Sequence, residues 1–152
     1  MPIEIVVPFV LFGFTAVLTA MAGALPERAG AIILIAWLLL ERLYHLFVGP
    51  NFFAGAIEVY IGLDLLAFMG FGALALTANR LWPLVATALQ IIALLGHLAV
   101  WVGIPGEAKA YWAMTQLPPL LMALTVIAGT VLHARRRRRI GRYRSWRRTI
   151  GS

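Results

Sequence analysis

Long apolar runs alternate with short polar or turn-forming breaks along almost the whole chain. A helix that crosses a membrane needs about 20 mostly apolar residues to span about 30 Å of hydrocarbon. Five runs reach this length: residues 3–25, 29–48 and 53–78, a fourth that follows the Asn79-Arg80 break and ends near residue 103, and residues 108–133. The pattern therefore predicts an all-α protein, a helical bundle with five transmembrane helices.

The breaks between these runs are brief and contain proline, glycine, asparagine or charged residues, which is turn chemistry rather than linker sequence. We expect Asn79 to cap the fourth helix and Pro83 to lie in its first turn, where proline is tolerated. A four-span alternative treats residues 47–57 as a re-entrant or interfacial turn, or demotes one weak segment. That alternative places the N-terminus inside the cell with no positive charge to hold it there.

Composition supports a membrane protein. Of the 152 residues, 62% are hydrophobic and 12% are charged, whereas a soluble domain has about 45–50% apolar and about 25% charged residues. The chain has no cysteine, which excludes disulfide scaffolds, thiolate metal sites and cysteine nucleophiles. We predict no cofactor and no metal, and the sequence favours a protein that is not an enzyme.

The positive charge is concentrated at one end of the chain. The formal net charge is +7, yet residues 134–152 contain nine arginines and no acidic residue, so the first 133 residues carry four basic and six acidic side chains. We therefore divide the chain into a transmembrane bundle, residues 1–133, and an arginine-rich tail, residues 134–152.

The positive-inside rule predicts the orientation from this asymmetry. The arginine tail places the C-terminus in the cytoplasm, and five spans then place the N-terminus outside. The turns that carry Arg28 and Arg80 fall on the cytoplasmic side, and Trp82 is predicted to anchor the inner interface. Trp101 and Trp112 fall at the outer interface.

Several polar side chains lie inside the apolar runs, where ionisable groups are costly and usually face the bundle interior. At about 1.5 Å per residue, most fall near the midplane or in the outer half of the membrane, and the inner half is nearly free of charge. This predicted intramembrane cluster comprises Glu41, Arg42, His45, Glu58, Asp64, Gln90, His97 and Gln116.

Three interpretations of the cluster remain open. Arg42 could pair with Asp64 or Glu58, while the other members join helices by hydrogen bonds. The cluster could instead line an outward-facing polar cavity for a proton, an ion or a small ligand. A metal site built from His45, His97 and a carboxylate has suitable ligands, but no HxxxH or HExxH spacing supports it.

Two backbone features stand out within the helices. Pro118 and Pro119 remove two amide donors inside the fifth run and predict a kink, which either fits the helix to its neighbours or forms a hinge. Ala16, Ala20 and Ala24 recur every four residues on the first helix and predict a close helix–helix seam.

The tail has three possible roles. As a helix it would place Ile140, Tyr143, Trp146 and Ile150 on one side, which suits a basic amphipathic segment lying on anionic lipid headgroups. It could also be a solvated cluster that only sets topology, or it could bind nucleic acid or an acidic protein, although no nucleic-acid module is present. The candidate binding residues are Arg135, Arg136, Arg137, Arg138, Arg139, Arg142, Arg144, Trp146, Arg147 and Arg148.

The stretch from Ala78 to Leu84 is similar in general character to small inner-membrane proteins of bacteria, which implies a multi-pass inner-membrane location but no activity. Because the chain combines small size, a basic tail and no catalytic constellation, we expect a non-enzymatic accessory, assembly or scaffold subunit. Its partners would be other membrane subunits or further copies of itself. The alternative is a small transporter or ligand-binding membrane protein, with a polar cavity in the outer half and coupling to protons.

Overall fold

A computed structural model describes residues 3–48, 56–104, 106–141 and 145–146, with side chains from Val6 onward in the first range and from Ile57 in the second. This part of the chain is all-helical, as predicted. It forms five helices: α1 (Ile3–Ala22), α2 (Leu25–Val48), α3 (Ala56–Thr77), α4 (Trp82–Trp101) and α5 (Ala108–Ile140).

The helices form a closed ring in chain order. Each helix packs against its neighbours in sequence, α1 closes the ring against α5, and α2 also contacts α5 across the middle. At one end of the bundle, here the Arg80 end, α1, α3 and α5 finish while α2 and α4 begin. The opposite end, here the Tyr111 end, holds the first turns of α3 and α5 and the last turns of α2 and α4.

Four helices, α2 to α5, are long and apolar enough to cross a membrane, whereas the apolar helix Val6–Ala22 in α1 is shorter. Many large apolar side chains point outward, among them Met21 at 81% and Leu76 at 75% exposure. Monomeric soluble proteins rarely expose large contiguous apolar patches, so this exterior suits a lipid environment.

The second helix starts earlier than the pattern predicted. Residues 26–28 were predicted to form a break, but α2 begins at Leu25 and includes them. Pro26 is accommodated because the first amides of a helix have no intrahelical acceptor. The side chain of Glu27 turns back and its Oε2 accepts a hydrogen bond from the Ala24 amide at 3.0 Å, as the third helical residue does in a capping box.

The start of α4 corrects another prediction. Asn79 was expected to cap this helix, but the N-cap position is Leu81, which makes no side-chain cap. Pro83 does lie in the first turn, as predicted.

Trp82 is a core residue rather than the predicted interfacial anchor. It is 7% exposed and its ring lies against the backbone of Gly30 in α2 and Gly129 in α5, where a Cβ atom would overlap the indole. Phe71 meets the same ring edge-on at 6.4 Å between centroids. Two glycines therefore let a bulky side chain lie between α2 and α5.

The last helix continues past the predicted end of the bundle. It was expected to stop near His133, but it runs on through the first arginines to Ile140, where Gly141 ends it with a φ of 76° that favours glycine. The chain then returns to the bundle, because the Asn79 amide donates to the Ser145 carbonyl at 2.9 Å and Ala78 forms an antiparallel bridge with Trp146. The prediction that one amphipathic helix includes both Ile140 and Trp146 is wrong.

Candidate functional site

The structure brings together most, but not all, of the predicted intramembrane cluster. Asp64, Gln90 and His97 are buried in the bundle interior. Two predicted members, Glu58 and Gln116, have exposed side chains on the outside of α3 and α5. Three further members are half-buried toward the Tyr111 end of α2: Glu41, Arg42 and His45.

The centre of the site is a contact between His97 and Asp64. Nε2 of His97 lies 3.5 Å from Oδ2 of Asp64, and the other ring nitrogen, Nδ1, is hydrogen-bonded to the Tyr111 hydroxyl at 3.1 Å. The second carboxylate oxygen, Oδ1, accepts a hydrogen bond from the Trp37 indole at 3.1 Å. Residues from α2, α3 and α4 therefore meet at one carboxylate, and α5 joins them through the hydrogen bond between Tyr111 and His97.

A chain of polar side chains leads from this centre toward the Tyr111 end. The Tyr60 ring stacks on His97 with 5.3 Å between centroids, and its hydroxyl is hydrogen-bonded to Nε2 of His45 at 2.7 Å. The same His45 nitrogen lies 3.8 Å from Oε1 of Glu41. We call this set the Asp64 network; it comprises Trp37, Glu41, His45, Tyr60, Asp64, His97 and Tyr111, together with Gln90, which is buried in the same interior.

Arg42 does not pair with Asp64 or Glu58, the two partners suggested by the sequence. Its Nε lies 3.4 Å from Oε2 of the adjacent Glu41, and its guanidinium lies over the Phe9 ring at 5.6 Å from the centroid. Its side chain is 31% exposed, so Arg42 belongs to the rim of the site.

The Asp64 network is connected but not saturated with hydrogen bonds. Oδ2 of Asp64 and both amide atoms of Gln90 are buried and make no hydrogen bond within the described protein. Buried side-chain polar atoms are nearly always bonded, so such atoms need an explanation, often a functional one. Oδ2 of Asp64 and the Gln90 amide, which lies beside this carboxylate, are therefore the polar atoms of the network that need such an explanation.

Helical spacing explains how these side chains share one interior. Trp37, Glu41 and His45 are four residues apart on α2, and Tyr60 and Asp64 are four apart on α3, so each set lies on one face. Gly96, beside His97, allows close packing of α4 against Met114 and Thr115, which a Cβ atom would meet at about 3 Å.

Sequence reasoning missed the aromatic members of the network. Trp37, Tyr60 and Tyr111 stand in apolar helices and were not recognised as polar partners, yet they supply an indole donor and two hydroxyls. The available signal was their spacing of four from Glu41, Asp64 and Thr115. The Thr115 hydroxyl donates to the Tyr111 carbonyl at 3.0 Å.

The two prolines of α5 are buried within a continuous helix. Gln116 of the predicted cluster, two residues before Pro118, is exposed on the outside of this helix. The kink at Pro118 and Pro119 stays a prediction. In the described part of the chain, no three His, Asp or Glu side chains are grouped to hold a metal ion.

A second polar cluster, which the sequence analysis did not predict, lies at the Arg80 end. Glu27 is fully buried, and its Oε1 accepts hydrogen bonds from Nε of Arg80 at 2.9 Å and from the Trp82 indole at 3.2 Å. Arg80 also donates from Nη2 to Nδ1 of His133 at 3.0 Å. From the sequence, Arg80 was placed in a turn and assigned no acidic partner.

An apolar layer separates the two polar clusters. Glu27 and Trp37 are ten residues apart on α2, which corresponds to about 15 Å of helix. Buried apolar side chains from all five helices fill this layer, with Trp82 and Ala86 contributed by α4: Phe12, Leu34, Phe71, Trp82, Ala86, Met122 and Val126. The Asp64 network thus extends to the partly exposed side chains of His45 and Glu41 toward the Tyr111 end and is bounded by apolar side chains toward the Arg80 end.

The predicted tail residues are only partly described. Arg135, Arg136, Arg137, Arg138 and Arg139 are exposed on the last turns of α5. Trp146 is 37% exposed beside the α3–α4 connection. The other predicted tail residues lie outside the described part of the chain: Arg142, Arg144, Arg147 and Arg148.

Comparison of this chain with protein families, with curated proteins and with solved structures gave no match.

Proposed function

We propose that this chain is a multi-pass inner-membrane protein that takes up a proton at Asp64 and His97 and couples it to binding or transport of a small polar solute. The proposal includes five spans, with the arginine tail in the cytoplasm and the Tyr111 end facing out. The α1 helix has 20 residues, about 30 Å at 1.5 Å per residue, which equals the hydrocarbon thickness.

One observation carries the proposal. His97 lies between the Asp64 carboxylate and the Tyr111 hydroxyl, while Oδ2 of Asp64 and the Gln90 amide keep unused hydrogen-bonding capacity in the bundle interior. Scattered polar residues, or a sealed and fully bonded network, would have favoured a purely structural role. Intramembrane carboxylates and histidines in contiguous chains are typical of proton relays.

The side chains around Asp64 and His97 favour proton uptake from one end of the bundle. His45 and Glu41 are partly exposed, at 18% and 13% of their side chains, and they connect the surface at the Tyr111 end with Tyr60 and His97. The apolar layer blocks the opposite direction, so passage to the other side requires a conformational change. A protein of this kind binds protons from one side without leaking them.

Infrared difference spectroscopy of the protein in bilayers, between alkaline and acidic buffer, tests the proposal because it detects carboxyl protonation directly. We expect one component of the carboxyl protonation band to disappear in Asp64→Asn and to persist in Glu58→Gln, the matched carboxylate on the outside of α3. An equally large band in Asp64→Asn would refute the proposal.

An accessory or scaffold role is the second candidate. Small residues on the outside of helices favour it, since Ala20 and Gly62 are exposed and no atom outside α3 lies within 4 Å of where a Gly62 Cβ would be. Native mass spectrometry after mild extraction tests this role. It predicts a complex with another subunit or a second copy, and a lone monomer in every lipid would rule it out.

A further inference from the structure

We propose that the groove between α1 and α5 at the Arg80 end binds the headgroup of an anionic phospholipid, held by Arg135 and Arg138. The groove has a volume of about 220 Å³. Its lining combines apolar side chains of both helices with the two guanidinium groups: Leu18, Ala22, Thr130, Val131, Ala134, Arg135 and Arg138. This site is distant from the Asp64 network and does not depend on its function.

The lengths of the two helices create the site. The α1 helix ends at Ala22, whereas α5 continues to Ile140, and its 33 residues correspond to about 50 Å of helix. The last turns of α5 therefore project beyond the end of α1. Arg135 and Arg138 are three residues apart and lie on one side of α5, just above the apolar wall formed by Leu18 and Val131.

The charge at this end complements a phosphate. Arg28 donates to the carbonyl oxygens of Ala20 at 2.9 Å and Thr19 at 3.4 Å, so a third arginine adds positive charge at the end of α1. The nearby acid, Glu27, is fully buried and is bonded to Arg80. Arginine binds phosphate oxygens through paired donors, and basic pockets between membrane helices bind anionic lipid headgroups.

A lipid fits this groove better than a soluble anion does. The lower part of the lining is apolar and lies between two membrane helices, where acyl chains and the glycerol backbone pack, while the arginines lie at one end only. A groove lined by α5 alone, with Leu132, Arg135, Arg136, Arg139 and Ile140, has no second helix to hold the chains.

Native mass spectrometry of the full-length protein, mixed with equal amounts of phosphatidylglycerol and phosphatidylcholine, tests the proposal. We expect retained phosphatidylglycerol, and a roughly 25-fold loss of it in Arg135→Gln/Arg138→Gln, because each arginine contributes about fivefold near an anionic headgroup. Arg136→Gln/Arg139→Gln removes the same charge from the same helix and should lose less than about fivefold.

Three outcomes would overturn the proposal. Equal losses in the two double variants would mean that diffuse charge, not the groove, attracts lipid. Equal retention of the two lipids would mean that the headgroup charge is not recognised. Displacement of the lipid by inorganic phosphate at the same concentration would assign the arginines to a free anion. All four arginines are exposed, so the substitutions leave the core unchanged.

Discussion

Glu27 and Arg80 form a buried ion pair, with 2.9 Å between Oε1 and Nε, although 53 residues separate them in the chain. The pair joins the first turn of α2 to the connection between α3 and α4, and Trp82 donates to the same carboxylate. Glu27 is fully buried, so either charge without the other would be strongly destabilising.

Glu27→Ala is therefore expected to lower the free energy of unfolding by about 3–5 kcal/mol, since it leaves Arg80 buried without its counter-charge. Denaturant titration of the protein in mild detergent measures this loss. The exposed carboxylate of Glu58 gives the control, and Glu58→Ala should change stability by less than about 0.5 kcal/mol.

The double variant Glu27→Leu/Arg80→Leu measures how much of each single loss comes from leaving the other charge buried without its partner. Because both charges are removed together, its loss should be smaller than the sum of the two single losses. Equal effects of Glu27→Ala and Glu58→Ala would show that the buried pair does not stabilise the fold.

The contact between Trp82 and Gly129 predicts a steric effect. In Gly129→Ala the added methyl group would overlap the indole, which cannot retreat because Gly30 lies against it from α2. We expect a loss of about 1–3 kcal/mol, as for overpacked cores. Gly62→Ala is the matched control, since its Cβ would meet no neighbouring atom within 4 Å, and an equal loss in both variants would contradict the packing.

The return of the chain after α5 can be tested by a designed disulfide, because the protein has no cysteine of its own. Neighbouring residues of antiparallel segments have Cα atoms about 4.5–5.5 Å apart, within the range of about 4.4–6.8 Å for disulfides. Asn79→Cys/Ser145→Cys should therefore cross-link within one chain on mild oxidation, detected as a mobility shift. Gly62→Cys/Ser145→Cys should not, and similar yields from both pairs would argue against the bridge.

Gln90 offers a test that separates stability from function. Its buried amide makes no hydrogen bond within the described protein, so Gln90→Leu should raise stability by about 1–3 kcal/mol by removing an unpaired polar group. It should also strengthen proton binding at the neighbouring Asp64, because an apolar neighbour disfavours the charged carboxylate. Gln116→Leu, on the outside of α5, should do neither. A destabilised Gln90→Leu protein with unchanged proton binding would contradict the proposed role.

Helical periodicity was sufficient to predict the five helices, and the depth of Asp64, Gln90 and His97 along their helices, at a fixed rise per residue, predicted that they lie at a similar level. It also placed Glu41 and His45 on one face, and they lie 3.8 Å apart. It could not reveal Trp37, Tyr60 or Tyr111 as partners, since an aromatic residue in an apolar helix has the same pattern whether it faces lipid or a carboxylate.

The contacts at the Arg80 end depend on distant parts of the chain, and no local pattern encodes them. Glu27 next to Pro26 has the sequence pattern of a turn. Its burial depends on contacts with Arg80 in the α3–α4 connection and with Trp82 at the start of α4. The tail had a plausible amphipathic period, but Gly141 ends α5 and the pairing of Trp146 with Ala78 replaces the predicted helix.

The central claim is that Asp64 exchanges a proton from the Tyr111 end only. Trp37 reports on this directly, because its indole donates to Asp64 and its emission should change when that carboxylate is protonated. The measurement is tryptophan fluorescence after a pH jump applied to one face of oriented proteoliposomes. The fluorescence of Trp37→Phe under the same conditions is subtracted to remove the emission of the other tryptophans. We predict a response to acid at the Tyr111 end, none to acid at the arginine-tail side, and no response in Asp64→Asn. An equal response from both sides, or an unchanged response in Asp64→Asn, would contradict the account.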